Sequence, residues 1–336
     1  MTPRERVLRR LAGQSVDKIP NFNILMLFAA RYIGRGMDAF CRDHRVMAEA
    51  NLRAAEAFGI DLLSTMSDAY RETADYGADI RFLDDALPVC GHLIREPADL
   101  RKLKPFSIEN STRMLDRLRA VELYKREAGD HWPILGWVEG CAAESSDLMG
   151  LTNLILALYD EPNMVREMMD ICLTTACRCA AAQIEAGADI IGVGDAVASV
   201  LGPDIYQTWI LPREQRLFEE IRRAGGIGRL HICGDITPLL DDLRLCGADI
   251  IDIDWMVDFR TAREKLGDVA LVCGNFDPVS VVQDGTPAEI RSAVNGCADA
   301  GGERCIIMAG CEIPRDTPHE NLRAVAEALA QRGNAQ

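Results

Sequence analysis

The chain has 336 residues and is acidic, with 37 lysines and arginines against 52 aspartates and glutamates and a net charge of −15. Hydrophobic residues make up 48% and charged ones 26%, a core-forming balance that excludes a disordered chain. With no basic stripe to replace phosphate counterions, a nucleic-acid binder is excluded as well.

The N-terminal MTPRERVLRRLAG reads as an amphipathic basic helix without the apolar stretch of a secretory signal. The apolar run ILMLFAA stops at Arg31, well short of the roughly 18 residues a spanning helix needs. Twelve cysteines are too sparse for a disulfide scaffold, and Cys172, Cys177, Cys179 and Cys305 sit in apolar or helical stretches. A soluble, cytoplasmic protein with no membrane partner is expected.

A joint recurs along the chain: a helical pattern ends in glycine and runs into a short β-branched stretch. Phe58-Gly59-Ile60-Asp61, Ala186-Gly187-Ala188-Asp189-Ile190-Ile191 and Cys246-Gly247-Ala248-Asp249-Ile250-Ile251 are instances. Glycine suits a helix C′ position, and a continuous apolar run is how a strand buried on both faces reads. Collecting such runs predicts eight strands at 23–27, 60–65, 133–138, 188–194, 227–232, 249–253, 269–273 and 304–309. Helices are expected between them, including Glu161 to Ala186, Pro203 to Ala224 and Pro287 to Ala300, the last capped by Thr286. Eight alternations in one chain predict a (β/α)8 TIM barrel, against an open doubly wound sheet, whose glycine-rich dinucleotide loop is missing. Residues 76–82 and 89–94, joined through Asp84-Asp85, read as a hairpin insertion after the second strand. No linker divides the chain, so residues 1–336 are expected to form one domain.

Barrel active sites gather at the C-terminal ends of the strands. The predicted ends carry Ser67-Asp68, Glu139, Asp195, His231-Ile232-Cys233, Asp254-Trp255, Gly274-Asn275 and Gly310-Cys311-Glu312. His231 and Cys233 are i and i+2 on an extended segment and face the same way, and Cys311 can reach them across a closed barrel. One imidazole and two thiolates suit zinc, with a fourth position left open. The competing reading is buried packing, because H-x-C is short and cysteine is among the most buried residue types. Cys177-Arg178-Cys179, Cys273 and Cys305 are read as core, and His44, His92, His131 and His319 as surface or turn residues.

The order of pieces resembles the uroporphyrinogen decarboxylase superfamily, and within it the zinc-dependent corrinoid methyltransferases. The matching pieces are RERVLRRLAGQSVDKIPNFN, STMSDAYRETADYGADI, LGWVEGC, LHICGD, VCGNFDPVSVVQDGTPAEI and MAGCEIPRDTPHENLRAV. The resemblance implies a (β/α)8 barrel and a zinc site at His231, Cys233 and Cys311. It implies methyl transfer between a corrinoid and a thiol activated on zinc. No corrinoid-binding D-x-H-x-x-G occurs, so the cobamide is expected on a separate corrinoid protein, with a small-molecule methyl donor or acceptor as the other partner. The decarboxylase branch carries an arginine-rich MRQAGRY segment for substrate carboxylates, of which only Arg31 and Tyr32 have counterparts here. The aspartate that cradles pyrrole N–H groups in that branch is matched by Asp68.

Candidate catalytic residues are therefore Glu139, as a displaceable ligand or proton acceptor, with Asp68, Asp254 and Asn275. Asp254, Asn275 and Asp195 are expected to hydrogen-bond His231 or the substrate, and Tyr70 and Arg71 to touch substrate. A metal-free tetrapyrrole decarboxylase and a catalytically silent corrinoid-protein-binding paralogue are the alternatives.

Overall fold

The computed structural model describes residues 1–333. Its strands are β1 (Leu63–Ser64), β2 (Ile80–Arg81), β3 (Val89–Cys90), β4 (Ile134–Glu139), β5 (Ile190–Gly194), β6 (Ile227–His231), β7 (Ile250–Asp252), β8 (Leu271–Phe276) and β9 (Cys305–Ala309). β1 and β4 to β9 form one parallel sheet in the order β1-β4-β5-β6-β7-β8-β9. β4, β5, β7, β8 and β9 are buried throughout, as continuous apolar runs between two layers must be. The sheet curls into a TIM-barrel-like α/β fold, with helices such as Pro162–Glu185 and Pro287–Gly301 on its outside.

The expected first strand at 23–27 does not form. Asn21 makes one parallel bridge to Ile307 of β9, and a helix begins at Met26. The segment still lies at the seam. Asn21 O accepts from Asp61 N ahead of β1, Asn23 Oδ1 accepts from Ala309 N, and Ile24 O accepts from Ile313 N. Side-chain amides take over bonds that a ladder would make: Asn21 Oδ1 receives both the N–H and the side-chain amide of Asn23.

The glycine joints behave as expected, with φ of 114° at Gly187 and 90° at Gly247. Thr286 caps its helix in a reciprocal pair with Glu289. The 203–224 stretch departs from a single helix: Pro203–Ile205 passes through a wide turn at Tyr206–Ile210 before Leu211–Arg223. Pro212 cannot donate into the ladder there, which favours the looser spacing. The insertion after β1 is the antiparallel hairpin expected, pairing Ile80 with Cys90 and Arg81 with Val89.

Candidate metal centre

β6 ends on His231, and Cys233 follows two residues later, so both project from the C-terminal end of the barrel. Cys311 arrives two residues after β9. His231 Nε2 lies 3.1 Å from Cys233 Sγ, and Cys233 Sγ lies 3.6 Å from Cys311 Sγ. All three ligand atoms fall within 4.8 Å of one another. A tetrahedral zinc with ordinary bond lengths separates two sulfurs by about 3.8 Å and a sulfur from an imidazole nitrogen by about 3.6 Å. The donor set suits zinc in chemistry, and the sulfur–sulfur spacing is close to that of a shared ion, while the nitrogen–sulfur spacing is the shorter one of a hydrogen bond. A hydrogen bond from Cys233 brings the Cys311 thiol down to about 4, against the opposing effect of burial. A thiol lowered in this way gives up its proton more readily to form the thiolate, the form that binds metal.

The histidine is oriented from below. Its Nδ1 meets Asp252 Oδ2 at 3.0 Å, leaving Nε2 for the sulfur side. Asp252 ends β7 in register with His231, and its carboxylate also takes Nε and Nη2 of Arg229 at 3.0 and 2.8 Å. Burial alone would raise the Asp252 carboxyl, but Arg229 and then His231 hold it below the usual carboxylate range. Arg229 is two residues before His231 and so faces the same way. The line Arg229–Asp252–His231 is the support that metal-binding histidines usually have.

A cavity of about 300 Å³ opens beside these ligands. Met26, Met66, Leu87 and Trp137 give it an apolar wall, and Asp68, Tyr70, Glu139 and Glu312 its polar groups. Trp137 Nε1 donates to Glu139 Oε1 at 2.8 Å, fixing the carboxyl two residues along β4. The indole needs glycine beside it. A Cβ on Gly192 would run into the Trp137 ring, and one on Gly194 would lie 2.8 Å from both the ring and Glu139 Oε2. Burial, then the neighbouring Glu72 and Asp147, push Glu139 well above the usual carboxyl range. Glu144, close to the same acids, is pushed up for the same reasons. Asp68 is the opposite case: Arg113, 2.7 Å away, overcomes the effect of burial and keeps it ionised.

Several expectations are corrected. Asp254 and Asn275 do not reach His231. Asp254 Oδ2 accepts from Gly234 N at 2.9 Å, and Asn275 donates to the backbone of Asp254 and Val257. Asp254 holds the loop that carries Cys233, Asn275 holds the loop that follows β7, and neither is a partner of His231 itself. The Asp195 carboxylate accepts from Ala143 N at 2.7 Å at the start of the helix Cys141–Met149, and Asp195 meets His231 only through its backbone N–H, which donates to the His231 carbonyl at 3.0 Å. Arg71 is fully buried, bonding Ser67, Asp116 and the carbonyls of Cys41 and Arg113, and it does not line the cavity. His44, expected as a surface or turn residue, is paired with Asp116 at 2.9 Å. The residues missed were Asp252, Arg229 and Trp137. The available signal was polarity out of place: Asp252 stands between isoleucines, in step with a histidine two residues after an arginine.

A family model described as "Uroporphyrinogen decarboxylase (URO-D)" matches residues 2–332. The chain belongs to the uroporphyrinogen decarboxylase family. Within that family it is 28% identical to the "Methylcobamide:CoM methyltransferase MtbA" of Methanosarcina mazei over 334 residues, covering 97% of each protein. The "Uroporphyrinogen decarboxylase" of Carboxydothermus hydrogenoformans is 25% identical over 322 residues, covering 91% of this chain and 90% of its own. In fold, a "methyltransferase from Methanosarcina mazei" superposes with a TM-score of 0.90 over 99% of both chains at 23% identity. A B12-independent methionine synthase from Shewanella is a more distant likeness, with a TM-score of 0.59 at 14% identity and coverage of 87% and 86%. No helix among the described residues is long and apolar enough to cross a membrane.

Proposed function

We propose that this family member is a zinc-dependent methyltransferase that moves a methyl group between a corrinoid and the sulfur of a small thiol. The observation that carries the reading is the His231, Cys233 and Cys311 cluster, held by Asp252 and opening on an apolar cavity at the strand ends. The end-to-end similarity to a methylcobamide:CoM methyltransferase supports it. Zinc bound by these three residues supplies the Lewis acidity that turns a thiol into a thiolate at neutral pH. The protein's own groups do the rest. Asp252 keeps the His231 proton on Nδ1, so that Nε2 is free to bind. Glu139, steadied by Trp137, is the acceptor for the thiol proton. The methionine and tryptophan wall keeps water from the sulfur. A methylcorrinoid would enter as the methyl-donating substrate: the thiol sulfur would take the methyl through a lone pair, the bonding pair would stay with the corrinoid, and the reverse transfer would use the same protein groups. The corrinoid comes on a separate corrinoid protein, and the reduced thiols fit a cytoplasmic setting.

A second reading, tetrapyrrole decarboxylation, is favoured by one observation, Asp68 in the cavity wall. Against it, Asp68 is already paired with Arg113, and a cavity of about 300 Å³ is small for four linked pyrroles. Elemental mass spectrometry on the purified chain, beside His231→Ala and Cys311→Ala, decides between the two. About one zinc per chain, lost in both folded variants, with demethylation of methylcobalamin by a thiol, is the expected result. A folded chain that takes up no zinc when it is offered would refute the methyltransferase reading.

A further inference from the structure

The wall of the cavity carries carboxyl groups and, among the described residues, no free cation. Its polar side chains include the carboxyl groups of Asp68, Glu139 and Glu312, and among the described residues that line it there is no lysine or arginine. Cations do lie nearby, but each is engaged elsewhere. Arg113 is spent on Asp68 and the Cys41 carbonyl, and Arg117 on the carbonyls of Trp137 and Asp68. Arg31 and Arg315, close in sequence to Met26 and Glu312, reach Asp85 and Asp316. The Tyr70 phenol registers the same field: burial first, and then Asp147, Cys90, Asp68 and Glu139, push it up to about 12. A divalent cation held by one imidazole and two thiolates is formally neutral, so it brings no surplus positive charge for a second anionic group.

We infer that the substrate of this pocket is uncharged or cationic away from its reacting sulfur, and that a thiol with a sulfonate or carboxylate tail is selected against. The inference rests on the thiol-methylation reading and narrows it. An anion entering such a cavity gives up water and finds no cation in exchange, whereas an ammonium or hydroxyl group finds carboxyl acceptors. This sets the chain apart from what a pocket built for 2-mercaptoethanesulfonate, the thiol abbreviated CoM, would require.

The test uses three probes with the same two-carbon spacer: 2-(methylthio)ethanol, 2-(methylthio)ethylamine and 2-(methylthio)ethanesulfonate. Their binding to the full chain is measured by calorimetry, and transfer from methylcobalamin to the three parent thiols is measured on the same preparation. The sulfonate is expected to bind at least about tenfold more weakly than the other two, and its thiol to be at least about tenfold poorer in kcat/KM. A sulfonate that binds as well as the alcohol would overturn the inference, as would a failure of all three to bind. Leu87→Lys, at an exposed rim position on the hairpin, adds the missing charge and is expected to shift the ranking toward the sulfonate; an unchanged ranking counts against the argument. A preparation without zinc that methylates no thiol refutes the methyltransferase reading instead, and the calorimetric ranking still decides the charge preference.

Discussion

Replacing Asp252 by Asn separates two tasks of one carboxylate. The first is to orient His231, whose Nδ1 is 3.0 Å away. Losing such a partner typically weakens metal binding about 10- to 100-fold, or about 1.4–2.7 kcal/mol. The second task is to neutralise Arg229. Both side chains of that pair are 1% exposed, and apart from Asp252 the guanidinium has, among the described residues, only the Met308 sulfur at 3.2 Å and the Phe22 ring. Its Nη1 has no partner among the described residues. Removing one member of a buried pair costs about 3–5 kcal/mol, so Asp252→Asn is expected to lose that much stability as well. Adding Arg229→Met removes the stranded charge and should restore most of the stability, but not the metal affinity. Zinc affinity is read by competition with a chromophoric chelator. Stability is read by urea unfolding of the zinc-free chains, so that metal linkage does not enter the comparison. Zinc bound by Asp252→Asn within twofold of the unaltered chain would refute the orienting role. So would a double variant whose zinc affinity returns together with its stability.

Three further outcomes follow from the same geometry. Burial and its acidic neighbours raise the Glu139 carboxyl, so the fraction able to accept a proton grows as pH rises. Methyl transfer to a thiol should climb with pH on a limb that Glu139→Gln flattens, with a loss of about 10²-fold or more at the plateau, and an identical pH profile in the variant would remove Glu139 from the chemistry. Gly194→Ala forces a Cβ to within 2.8 Å of the Trp137 ring and Glu139 Oε2. It should cost about 1–3 kcal/mol and lower the transfer rate, while zinc content stays at the level of the unaltered chain. The raised carboxyl of Glu144 carries a stability sign: its folded pKa lies above the ordinary 4.5, so its contribution is intact below that pH and erodes as pH rises toward the folded value. Glu144→Gln keeps the Thr73 hydrogen bond and removes that erosion, so its melting temperature should exceed the parent's by about 2 °C or more at pH 8 and match it near pH 4. A difference that does not change with pH would mean that Glu144 is ionised in the folded chain.

The parallel strands were legible because burial on both faces leaves an unbroken apolar run, and glycine at the helix ends marks where each run begins. The seam strand was not, since Asn21 and Asn23 replace ladder bonds by side-chain amides, and that substitution has no hydrophobic signature. Within the site, His231, Cys233 and Cys311 could be found because their chemistry is unusual and strand ends are where barrels expose it. Their support was harder to read. In Asp252-Ile253-Asp254 both acids lie on one face, two residues apart, and position after the strand favoured Asp254. Register decides otherwise. Asp252 is the residue level with His231 across β6 and β7, and Asp254, one step further out, meets the backbone of Gly234. The same reasoning applies to Arg229. An arginine inside an apolar strand looks like an interruption until its partner on the next strand is known, and that partner is fixed by a pairing register that sequence spacing does not encode. Local chemistry thus names the ligands, whereas the neighbouring strand determines which carboxylate orients them.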